Sequence, residues 1–116
     1  MSNAAAAPVA RRFYFVDEAG DATLFGGKGR VLVGEPGCSR YFMLGVLDVA
    51  DPAALGAELA ALRQRLLADP YFRDVPSMQP ERRKTAVAFH AKDDVPEVRR
   101  EVFQILLRHK LQFNAV

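Results

Sequence analysis

The chain has 116 residues, half of them hydrophobic and 26% charged, with 16 basic and 14 acidic side chains that leave a formal net charge of +2. This length supports one core and not two, and the composition excludes a disordered or fibrous chain. The near balance of charge does not by itself imply nucleic-acid binding, so any basic surface must be local, and Cys38, the only cysteine, excludes an internal disulfide and points to a reducing, cytoplasmic setting.

Residues 1–10 lack the basic and apolar regions of a signal peptide. They read as a disordered or tag-like start, which leaves 11–116 as the domain. Arg12 to Asp17 predicts a strand: Phe13, Tyr14, Phe15 and Val16 are aromatic or β-branched and apolar at successive positions, as a central strand buried on both faces requires. Ala19-Gly20-Asp21 supplies turn chemistry, with Gly20 free to take positive φ. After the glycines at 26, 27 and 29, Arg30 to Val33 predicts a second strand, Glu35-Pro36-Gly37 a turn, and Arg40 to Val49 a third strand. The most apolar stretch, Tyr41 to Ala50, is about half of a membrane span and contains Asp48. The opening therefore reads as a three-stranded antiparallel meander.

Asp51-Pro52 is a strong helix start, because the carboxylate accepts from orphan amides and proline at the first helical position loses no hydrogen bond. Leu55, Leu59, Leu62 and Leu66 then recur on one helical face, and Asp69-Pro70 ends the helix. Residues 71–84, with Pro76 and Pro80, read as a long irregular loop. Val87 to His90 predicts a short strand. Asp94 and Glu97 stand in capping-box spacing ahead of a second amphipathic helix carrying Val98, Val102, Ile105, Leu106 and His109, and Leu111 to Val116 predicts a last strand.

Strands joined by a crossover helix lie parallel, so the order predicts an α/β, ribonuclease H-like mixed sheet: the meander, then helix, strand, helix, strand. With no helix to cover the last strand, the chain reads as the front portion of a longer protein. Residues 111–116, an apolar edge without charge after Lys110, are expected to self-associate.

Asp17, at the end of the first strand and ahead of a glycine turn, stands where open α/β sheets present functional side chains. It reads either as a ligand for Mg²⁺ or Mn²⁺, hard cations that prefer carboxylate oxygen, or as a cap of the following turn. Glu18 points to the opposite face while the strand stays extended. His90 and Asp93 follow the predicted fourth strand, which would lie beside the first and bring them to Asp17. His90 is then a metal ligand or an acid or base, and Asp93 a metal ligand; otherwise His90 is a packed or surface residue and Asp93 a helix cap. Arg82-Arg83-Lys84 is a local basic run that either holds a nucleic-acid backbone or is a solvated loop. Gly26-Gly27-Lys28-Gly29 lacks P-loop spacing. Cys38 reads as a passive thiol, and His109 as a packed or dipole-facing residue.

The run Phe13-Tyr14-Phe15-Val16-Asp17-Glu18-Ala19-Gly20-Asp21 resembles the opening signature of an uncharacterised family, the domain of unknown function numbered thirty-eight hundred, whose first strand runs into Asp-Glu-Ser-Gly-Asp. Tyr41 to Val46 and Phe89-His90-Ala91-Lys92-Asp93 are similar to two further segments of that family. Ala19 stands where the family has serine, and its C-terminal Gln-x-Ala-Asp motif has no counterpart. The resemblance favours metal at Asp17. Two functions follow as expectations: a metal-dependent nuclease or related phosphoryl-transfer domain, or a non-catalytic binding or regulatory module on the same fold.

Overall fold

The computed structural model describes residues 11–20 and 23–116, so the tag-like start at 1–10 and the turn residue Asp21 lie outside the described residues. The chain adopts an α/β fold with one three-stranded antiparallel sheet and two helices. It divides into a sheet unit, Met1–Val49 with Leu111–Val116, and a helical unit, Ala50–Lys110. Among the described residues no helix is long and apolar enough to cross a membrane.

In the sheet unit, β1 (Phe13–Ala19), β2 (Met43–Val49) and β3 (Leu111–Ala115) lie in the order β1-β2-β3. Both pairings are antiparallel, with Asp17 opposite Gly45 and Gly45 opposite Ala115. Leu44 and Val116 extend the second ladder by exchanging amide hydrogen bonds of 2.8 and 3.0 Å. β1 ends at Gly20, whose φ of +96° and close approach to the chain admit no side chain: a Cβ there would lie 2.1 Å from the Tyr41 carbonyl oxygen.

This sheet corrects four expectations. Residues 13–17 form an edge strand, not a central one, and all seven residues of β1 are exposed. Residues 30–33 are not a strand of the sheet; Val31 makes a single bridge to Phe25 across a local hairpin. A one-turn 3₁₀ segment at its tip and the turn that follows at Gly34 leave no length for a ladder. Val87 to His90 is not a strand: residues 85–87 form a turn, closed by the Val87 and Ala88 amides on the Lys84 carbonyl at 2.8 and 3.0 Å, and 88–90 pair with no strand. The last strand runs antiparallel to β2, so the described sheet contains no parallel pair and is not mixed.

In the helical unit, α1 (Pro52–Ala68) starts as its Asp-Pro pair predicts, the Asp51 carboxylate accepting from the Ala54 amide at 3.0 Å. Leu55, Leu62 and Leu66 are buried and Leu59 half-buried, the stripe expected from their spacing. Asp69 ends α1 and at once caps the next turn by accepting from the Tyr71 amide at 2.9 Å. The predicted irregular loop is ordered into three 3₁₀ turns, Pro70–Phe72, Pro76–Met78 and Pro80–Arg82, each opening on proline. Proline supplies the φ these first positions need and lacks only an amide that would be unpaired there. The turns bury Phe72, Ser77 and Met78.

α2 (Pro96–Arg108) buries Val98 and Ile105, with Val102, Leu106 and His109 half-buried. Its N-cap is Val95, which makes no side-chain cap, so the expected Asp94–Glu97 capping box does not form. Asp94 instead turns inward, as described below. The ion pairs Arg65–Glu101 and Arg108–Glu58 join the C-terminal half of α1 to the middle of α2 and the middle of α1 to the end of α2. That pairing order makes the two helices antiparallel. His109 bonds Glu58 of α1 through Nε2, a contact tighter than the packed role its place on the stripe implied.

Candidate functional site

Side chains alternate across a strand, so one face of the sheet carries Phe13, Phe15, Asp17 and Ala19 from β1, with their register partners Val49, Leu47, Gly45 and Met43 from β2. β3 adds Leu111, Phe113 and Ala115 to it. Asp17 is the only charged side chain on this face of the three strands. A groove of about 360 Å³ runs over it, lined by Phe15, Asp17, Met43, Leu47 and Phe113. Gly45 lets the Phe113 ring lie across β2: a Cβ on Gly45 would meet that ring at 3.0 Å. A single carboxylate thus sits on an apolar floor, beside an aromatic ring held down by a missing side chain.

One Asp17 oxygen accepts the Glu18 amide at 2.9 Å, which fixes the carboxylate against its own strand and leaves the second oxygen to other donors. Glu18 alternates to the opposite face with Tyr14 and Val16. There the Arg12 guanidinium approaches the Tyr14 hydroxyl at 3.5 Å.

The other predicted residues belong to the helical unit. The strand adjacency expected to bring His90 and Asp93 to Asp17 is absent, because 87–90 is not a strand and β1 has no parallel neighbour. His90 and Asp93 do meet each other. Nδ1 of His90 lies 3.4 Å from Asp93, whose other oxygen lies 3.6 Å from Lys84 Nζ. Arg82, Lys84 and Asp93 line one hollow of about 240 Å³ with Ser77 and Val95. Arg83 adopts the left-handed conformation at φ +53° that ends the last 3₁₀ turn. All three residues of the basic run are exposed, and Asp93 offsets the Lys84 charge within it.

The residue that organises this segment is Asp94, which sequence spacing had marked only as a cap. It is 6% exposed, accepts from the Thr85 hydroxyl at 2.6 Å and from the His90 amide at 2.9 Å. Both carboxylate oxygens are therefore committed to holding the segment 85–90, which explains why that apolar run is not extended. The Asp93 and Asp94 amides close the next turn, at 91–93, on the His90 carbonyl, at 2.8 and 2.9 Å.

Among the described residues no group of three or more His, Cys, Asp or Glu side chains is placed to hold a metal ion. No family model matches the chain, and no curated protein or solved structure is significantly similar to it.

Proposed function

We propose that Asp17 is the anchoring carboxylate of a divalent-metal site in a nuclease or related phosphoryl-transfer domain, with Mg²⁺ or Mn²⁺ as its cofactor. One observation carries this reading: Asp17 is the sole charge on an apolar, groove-lined sheet face, with an oxygen left over after its bond to the Glu18 amide. A hard cation suits such a carboxylate, and Mg²⁺ commonly takes one or two protein carboxylates and completes its shell with water and substrate phosphate. Asp17, with Glu18 also lining the groove, supplies part of a ligand set, so the residues fit an anchoring role and not a closed cage.

The likeness of Phe13–Asp21 to the family signature supports the same reading. So does a ribonuclease H-like reading of the antiparallel β1–β2 pair with its carboxylate in the last half of the first strand, although the parallel strands of that fold are not in the described sheet. Within this proposal Glu18 assists beside Asp17, and Arg82, Arg83 and Lys84 of the helical unit hold a nucleic-acid backbone. The exposed Phe113 and Val116 make residues 111–116 a surface for self-association.

Titration of the full chain with Mn²⁺ tests the proposal. Binding that disappears in Asp17→Ala is the expected result; no binding, or binding untouched by Asp17→Ala, overturns it.

A second reading, a non-catalytic binding module, is favoured by a different observation. Phe13 and Phe15 on one face of β1 and Tyr14 and Val16 on the other are all 40–60% exposed, and exposed apolar surface of this kind marks an interaction site.

A further inference from the structure

We infer that β1 is the contact strand of a symmetric dimer, pairing antiparallel along its free edge with β1 of a second copy of this chain. The inference does not rest on the metal reading. Among the described residues β1 has a strand on one side only, and all seven of its residues are exposed. Its unpaired backbone groups are a template for another strand. Charged side chains on an edge strand can discourage pairing or, where they are complementary, direct it. In β1 the first four residues, Phe13-Tyr14-Phe15-Val16, are uncharged; acidic Asp17 and Glu18 follow them within the strand, and basic Arg11 and Arg12 stand just before its start.

That placement makes the strand self-complementary in one direction. Two copies of a sheet edge related by a two-fold axis perpendicular to the sheet run antiparallel and keep their faces aligned, so the axis must pass through a residue. Centred on Tyr14, it sets Arg11 opposite Asp17 of the second copy and Phe13 opposite Phe15, each twice. Centred on Phe15, it sets Arg12 opposite Glu18 and Tyr14 opposite Val16, again twice. Either register joins opposite charges directly across the pair, an arrangement that stabilises strands, whereas in-register parallel pairing would set like charges side by side. β3, the other edge of the sheet, carries Gln112 and Asn114 but no charge within Leu111–Ala115, so nothing in it specifies a direction or a partner.

The test uses two variants of the full chain, analysed by sedimentation at several concentrations with chelator present. Arg11→Glu/Arg12→Glu has two acidic ends, and Asp17→Lys/Glu18→Lys has two basic ends. The unsubstituted chain is expected to dimerise with rising concentration. Each variant alone is expected to dimerise at least about tenfold more weakly, and their equimolar mixture to regain association. The regain also shows that both variants are folded. In a Cys38→Ser background, Tyr14→Cys or Phe15→Cys should form an intermolecular disulfide, whichever residue lies on the axis. An unsubstituted chain that stays monomeric overturns the inference. So does association that survives in both charge variants and is lost in Gln112→Lys/Asn114→Lys, which would place the contact on β3.

Discussion

Asp94 and Asp17 are both aspartates next to turns, yet their surroundings assign them opposite tasks. Asp94 is buried with both oxygens bonded, and Asp17 is exposed with one oxygen bonded. Replacing Asp94 by Ala leaves the Thr85 hydroxyl, which is fully buried, without its partner and frees the segment 85–90. Leaving such a group unsatisfied costs about 1–3 kcal/mol. Chemical denaturation of Asp94→Ala should show a loss in that range, and a loss no larger than that of the exposed Asp74→Ala would refute the bracing role. The sequence made the strand over Phe13–Val16 and Gly20 legible because their signals are local, an aromatic and β-branched run and a glycine after it, although the strand runs past Asp17 to Ala19. It hid Asp94 because the partner, Thr85, is reached only through the path of an irregular loop, which no spacing rule encodes.

Elements with a long period were readable, and short ones were not. The leucines of α1 and the apolar positions of α2 repeat over several turns, so both helices and their buried faces follow from the sequence. The four-residue run Val87 to His90 has no length with which to separate strand from turn. β1 misled in another way, since apolar residues at successive positions describe a buried central strand and an exposed edge strand equally well. Which neighbours a strand pairs with is a non-local fact. The α1–α2 pair also makes a prediction about pH. Its hydrogen bond to His109, helped by the charge of Arg108, holds the Glu58 carboxyl below the usual carboxylate range. A depressed folded value means that this contact stabilises fully above the unfolded carboxyl pKa of about 4.3 and is lost as pH falls through the folded value. Thermal unfolding should therefore show Glu58→Gln less stable than the parent at neutral pH, with the gap closing on acidification to about pH 3. A gap independent of pH would mean that the carboxylate charge plays no part.

At the scale of the whole chain, the helical unit is one continuous segment, Ala50–Lys110, while the sheet unit is assembled from two separated pieces. Its core rests on few side chains, among them Leu62 at 2% and Val98 at 0% exposure. Leu62→Ala should cost about 2–5 kcal/mol, since it removes buried methyl groups and leaves a cavity. Circular dichroism during denaturation would show this as an earlier loss of helix, and an unshifted midpoint would mean that α1 is not held by that stripe.

The place where this segment begins and ends has a kinetic consequence. The Ala50 amide donates to the Lys110 carbonyl at 3.2 Å, and the adjoining residues Val49 and Leu111 form the first pair of the β2–β3 ladder. In topological terms, β2 and β3 are the arms of a hairpin whose loop is an entire folded unit. In an unstructured chain, bringing those arms together means closing a loop of about sixty residues, an entropic barrier on the order of 4 kcal/mol. Once the helices have condensed, the two ends already lie side by side and little of that barrier is left. β3 should thus be a late arrival whose rate depends on the helical unit: in stopped-flow refolding, Leu62→Ala is expected to slow the docking of 111–115 onto β2, although Leu62 belongs to α1.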